Sequence, residues 1–204
     1  MRYCLYVFYF FIPVLFAISC QSADSLPILG PYEKVDGEKV FHPVRDFQLL
    51  NQDSLTVTEE TFLGKIRIVD FFFISCPTIC PKVQAQMLKI QERFSTEKEV
   101  VLISHTIDPK RDDVTALAKY AKNIGVEQTD KWQFLTGDRT LLYQLADDHF
   151  NIVVEDSSVP GGFDHTGRIV LIDKKGFIRS FGNGTNPASI DTLIQDIDQL
   201  LIQE

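Results

Sequence analysis

The chain has 204 residues, enough for one hydrophobic core of ordinary size once an N-terminal leader is set aside. Its hydrophobic content of 45% and charged content of 24% are those of a folded soluble domain and set a disordered chain aside. The net charge of −8 argues against nucleic acid as a partner.

Arg2 is followed by an almost unbroken apolar run from Tyr3 to Ser19, which predicts an export leader over residues 1–20. Ala17-Ile18-Ser19-Cys20 resembles a bacterial lipoprotein processing site, with Cys20 as the lipidated first residue of the mature protein. An uncleaved membrane helix and simple cleavage start from the same run, although Pro13 lies within it and about 17 residues is the lower limit for a span. Each alternative anchors or delivers the domain outside the cytoplasm, in the cell envelope of a bacterium. Residues 21–40 carry Pro27, Gly30, Pro31 and Gly37 among polar residues and read as a spacer, which leaves residues 41–204 as the folded domain.

Within that domain Phe47–Leu50 and Leu55–Val57 read as a short N-terminal hairpin, with Thr58 or Glu59 opening one helical turn. Ile66–Ile74 is mostly β-branched and aromatic, as a strand buried on both faces should be. Ile79, Val83, Met87, Ile90 and Phe94 then recur at helical spacing. Glu99–Ile107 predicts a second strand, Asp113–Ile124 a second helix and Trp132–Leu135 a third strand. Asp138 is placed to cap a helix running through Leu145 to Phe150. Ile169–Asp173 and Phe177–Phe181 predict a hairpin, and Ile190, Leu193, Ile197 and Leu200 mark one face of a closing helix. This order defines an α/β, thioredoxin-like fold: a central mixed sheet flanked by helices, with an N-terminal β-hairpin extension.

Cys76 and Cys80 stand at the end of the first central strand, in Ser75-Cys76-Pro77-Thr78-Ile79-Cys80-Pro81, where open α/β sheets place their sites. On a helix, positions i and i+4 share a face, so the pair can close into a disulfide or hold one soft ion. An exported chain does not leave two thiols free by chance, and three intervening residues favour metal over dedicated thiol exchange. His165 precedes the late hairpin, whose entry loop packs against the cysteine turn in such folds, so it is a third candidate ligand. Two thiolates with one imidazole suit copper, as Cu(I) or Cu(II); zinc takes the same ligands, but a structural zinc site normally supplies four. A thiol-disulfide oxidoreductase using Cys76 and Cys80 as a redox disulfide is the alternative, and a peroxidase-like or redox-sensing role is a third. His42, His105 and His149 read as structural, and Asp108, Arg111 and Asp112 as a turn or a docking surface.

The region from Phe41 onward resembles the Sco/SenC family of copper chaperones, through Cys76-Pro77-Thr78-Ile79-Cys80-Pro81, Ile107-Asp108-Pro109-Lys110-Arg111-Asp112, and Asp164-His165 ahead of Ile169–Asp173. That resemblance implies a thioredoxin-like domain whose copper ligands are Cys76, Cys80 and His165. It implies a metallochaperone with no catalytic residue assigned, maturing the dinuclear copper centre of cytochrome c oxidase subunit II or of another exported cuproprotein. It also leaves room for reduction of the partner's cysteines.

Overall fold

The computed structural model describes residues 25–126 and 129–203; the leader and Cys20 lie outside the described residues. In chain order the strands and helices are β1 Tyr32–Val35, β2 Glu38–Phe41, β3 Gln48–Asn51, β4 Thr56–Thr58, β5 Ile66–Phe72, α1 Cys80–Arg93, β6 Val100–Thr106, α2 Val114–Asn123, β7 Trp132–Thr136, α3 Arg139–Asp148, β8 Val153–Glu155, β9 Phe163–His165, β10 Arg168–Ile172, β11 Ile178–Asn183 and α4 Pro187–Gln203. A single 3-10 turn, Glu59–Phe62, follows β4.

Seven strands form one mixed sheet in the order β11-β10-β5-β6-β7-β3-β4. The β5, β6 and β7 strands run parallel, joined by helical crossovers, while β10 pairs antiparallel with β5. Every residue of β5 and β6 is buried, which is why both sequences lack the polar alternation of a one-sided strand. Each Ile or Phe so buried contributes about 1.5–3 kcal/mol. Successive side chains face opposite layers. Phe72 stacks on Tyr120 of α2 at 5.3 Å, whereas Phe71 meets His149, just beyond α3, at 5.6 Å. The α1 and α4 helices are tied by Lys89–Asp191 at 2.5 Å and Arg93–Asp198 at 2.9 Å.

Helix starts follow their caps. Asp113 accepts from the Ala116 N–H at 2.8 Å, and Asp138 accepts from the Leu141 N–H at the same distance. The α3 helix stops at Asp148 rather than reaching Phe150, whose φ of 56° takes the chain out of the helical region.

Two features depart from the sequence expectations. The pair β3–β4 is more than an added hairpin: β3 ladders onto β7 through Leu50–Thr136 and Asn51–Leu135, so it extends the central sheet. Part of the segment read as a spacer is folded, with β1 and β2 forming a hairpin around Asp36 and Gly37 and Leu29 bridging to Ile178. Both turn residues have positive φ, 51° and 86°, the requirement of a tight two-residue hairpin turn. Among the described residues no helix is long and apolar enough to cross a membrane.

Candidate metal centre

The β5 strand ends at Phe72 and delivers the chain to a turn in which Cys76 lies outside any helix; only Cys80 is helical, as the first residue of α1. The two cysteines therefore do not share a helix face, as the i, i+4 reading supposed. Cys76 instead sits over the helix start, where its Sγ accepts the Cys80 N–H at 3.4 Å. Pro81, in the first turn of the helix, has no N–H to leave unsatisfied. The cysteines are unbridged and nearly inaccessible, at 7% and 6% exposure.

His165 arrives from the far side. It does not lie in a loop, as expected, but ends β9, which pairs only with β8 in a two-stranded sheet of its own. Its Nε2 lies 3.7 Å from the Cys76 Sγ and 3.6 Å from the Cys80 Sγ. The three donor atoms fall within 4.8 Å of one another. An ion bound at about 2.3 Å to sulfur and about 2.0 Å to nitrogen in a trigonal plane separates those donors by roughly 3.7 Å. Both sulfur–nitrogen distances match that value. The His165 Nδ1 has no hydrogen-bond partner among the described side chains, and its ring meets Phe73 edge-on at 5.5 Å.

The electrostatics of the two sulfurs differ. Burial pushes the Cys76 thiol up, but hydrogen bonds from Cys80 and His165 and from the Thr78 and Cys80 N–H groups outweigh it and bring it from 9.0 to about 6. The start of α1 adds its dipole in the same direction. Burial pushes the Cys80 thiol up, and the neighbouring Cys76 sulfur pushes it further. Asp70 lies below, 2% exposed, accepting from the Ser104 hydroxyl; burial raises its carboxyl from 3.8 to about 7. An apolar groove of about 340 Å³, lined by Ile74, Leu88, Tyr120 and Ile124, leads from the sulfurs between α1 and α2.

The fold brings together the three residues named from the sequence, together with supports that the sequence did not single out. Thr106, Asp112 and Phe73 brace the cysteine turn, the first two through a hydrogen bond of 2.6 Å and an Asp112 bond to the Ile74 N–H of 3.1 Å. Phe163 packs on Phe73 at 5.0 Å. His105 and His149 are buried structural residues, as expected, and His42 pairs with Glu33 at the surface at 3.5 Å.

A thioredoxin-like domain holding a buried dithiol under an imidazole defines the class. The family model described as SCO1/SenC matches residues 36–201, and the chain belongs to that family. A SCO1/SenC family lipoprotein from Bacillus anthracis str. Ames shares 28% identity and a TM-score of 0.71, covering 78% of this chain and 95% of its own. BsSco, a member of the Sco family of cytochrome c oxidase assembly proteins with a disulfide switch, shares 27% identity and a TM-score of 0.69, covering 86% and 97%. Arabidopsis thaliana ScoI with copper bound has the same fold at 23% identity and a TM-score of 0.65, covering 78% and 99%.

Proposed function

We propose that this protein binds one copper ion through Cys76, Cys80 and His165 and hands it, by exchange of ligands, to the dinuclear copper centre of cytochrome c oxidase subunit II or to another exported cuproprotein. The observation that carries this reading is the meeting of two sulfurs and one imidazole nitrogen, from distant parts of the chain, at separations a three-coordinate ion requires. Soft thiolates with one imidazole favour copper, and the absence of a fourth ligand among the described residues argues against structural zinc. The likeness to a cytochrome c oxidase assembly protein supports the recipient. Cys20 as a lipid anchor in the bacterial envelope is supported by the residues before it and by the lipoprotein relative.

Three features of the chain serve such a transfer. Cys76 is ready to bind as a thiolate near neutral pH, because the helix start and its hydrogen bonds already stabilise the negative sulfur. Buried Cys80 holds its proton until a cation replaces it, so loading releases a proton. His165 stands on the β8–β9 hairpin, whose ladder is separate from that of the central sheet, which leaves the imidazole the more readily displaced donor.

The test is anaerobic copper titration of the full-length protein in detergent, alongside Cys76→Ser, Cys80→Ser and His165→Ala. Expected are one copper per wild-type chain and a loss of affinity in each variant beyond the roughly 10- to 100-fold typical of residues outside the ligand set. Unchanged affinity in His165→Ala overturns the three-ligand site.

The unequal acidity of the two thiols favours a second reading, reduction of a partner disulfide. The Cys76 thiolate attacks one partner sulfur, forming a mixed disulfide and expelling the other as thiolate. Cys80 then loses its proton and attacks Cys76, which closes the Cys76–Cys80 disulfide and leaves the partner reduced. Turnover of a disulfide substrate that survives His165→Ala supports this reading.

A further inference from the structure

The turn Asp108-Pro109-Lys110-Arg111-Asp112, between β6 and α2, has no part in the ligand set, yet it touches both halves of the site. The cysteines follow β5, whereas His165 ends a hairpin that, among the described residues, ladders only within itself and rejoins the central sheet through Thr166 and Gly167 at β10. A continuous set of bonds crosses the gap. The Asp112 carboxylate accepts from the Ile74 N–H, two residues before Cys76, at 3.1 Å and from the Thr106 hydroxyl at 2.6 Å. The Thr106 oxygen accepts the Asp108 N–H at 3.0 Å, and the Asp108 carboxylate accepts the Arg111 Nε–H. Arg111 then reaches the histidine arm twice. Its Nη2 donates to the Gly161 carbonyl at 3.2 Å, and its guanidinium lies 5.8 Å from the ring of Phe163, two residues before His165.

Where Arg111 grips, the arm lies directly on the cysteine turn. Gly161 has a φ of 90°, and a Cβ there would fall 2.9 Å from the Phe73 ring and 3.2 Å from the Pro77 Cδ. The ionic tie of the hairpin itself, Arg139 to Glu155, is about half exposed on both sides, whereas the half-exposed Arg111 is anchored on a buried Asp108 carboxylate. A lysine cannot reproduce the Arg111 contacts, because one ammonium does not span the Asp108 carboxylate and the Gly161 carbonyl as a guanidinium does.

We propose that Arg111 is a positioning residue, the latch that fastens the histidine arm to the cysteine turn and so sets how readily His165 leaves the site. Its functional meaning rests on the copper reading above. Exchange of ligands needs one donor to depart first. Both sulfurs are buried at the end of the central sheet, whereas the imidazole rides on a hairpin of three-residue strands with a ladder of its own. Arg111 controls that weaker side.

The test compares Arg111→Ala and Arg111→Lys, each alone and combined with His165→Ala, in the full-length protein. A competing chelator is expected to strip copper at least about ten-fold faster from Arg111→Ala than from wild type, the worth of a charge-assisted hydrogen bond, with Arg111→Lys in between. In the His165→Ala background the same change is expected to add less than about two-fold, because the arm then carries no ligand. Amide hydrogen exchange of the apo protein is expected to quicken over residues 153–165 and to stay unchanged in β5 and β6. Equal stripping rates, a full effect without His165, or unaltered exchange in the arm each overturns the proposal. If wild type takes up no copper, the metal reading fails by itself, and the exchange measurement still judges the latch.

Discussion

Near neutral pH the Cys76 sulfur is a thiolate with its hydrogen bonds made, while the Cys80 sulfur four residues on keeps its proton. An alkylating agent therefore reports on the site without any metal. Iodoacetamide, followed by peptide mapping, is expected to label Cys76 first, with a rate that rises through about pH 6 and then levels, while Cys80 stays unmodified. Equal labelling of both thiols would refute the asymmetry. The residue types and the order of the donors were readable in the chain, because sulfur and imidazole announce their chemistry wherever they occur. Their inequality was not, since it arises from the burial of Cys80 and from the hydrogen bonds that Cys80, His165 and two backbone N–H groups bring to Cys76, which only the fold assembles.

Among the elements, α4 meets β11 with almost no clearance. A Cβ at Gly182 would lie 2.8 Å from both the Ile190 Cδ1 and the Leu193 Cδ2, so the helix rests on bare backbone. Gly182→Val is expected to destabilise the fold by about 1–3 kcal/mol, read as a lower urea midpoint with an unchanged slope. An unaltered midpoint would mean that the helix shifts freely. The long elements were legible because β5 and β6 are dominated by β-branched and aromatic residues and the helices keep one apolar face. The short arm was not. Val153–Glu155 and Phe163–His165 are three residues each, and partly exposed Val153, Val154 and Glu155 lack the apolar pattern of a core strand. The hairpin of β1 and β2 did carry a signal, Asp36-Gly37 between extended residues, which a spacer reading passed over.

Across the whole molecule, the response to acid involves buried groups on both faces of the central sheet. His105 packs between Phe47 and Phe71, with neither ring nitrogen partnered among the described residues, and burial, aided by His149, lowers its pKa from 6.5 to about 3. Below pH 6.5 the unfolded chain takes up this proton and the folded one does not, so stability present above that pH is lost as it falls toward 3. Asp70 works in the opposite sense, since its raised pKa makes the folded state bind the proton first between pH 7 and 3.8. His105→Phe isolates the first effect. Relative to wild type it is expected to gain about 1.4 kcal/mol per pH unit between roughly pH 6.5 and pH 4, measured by urea midpoints, and parallel curves would exclude it. One feature at this scale bears on how the protein works in its surroundings. Leu29 bridges Ile178, which lies across β10 from Arg67 at the opening of β5, while the sulfurs follow the far end of that strand. The leading segment and the metal donors thus occupy opposite poles, roughly 20 Å apart along the sheet. Under the copper transfer proposed above, a domain held from the Leu29 side would turn its sulfurs away from the point of attachment, leaving them open to a recipient.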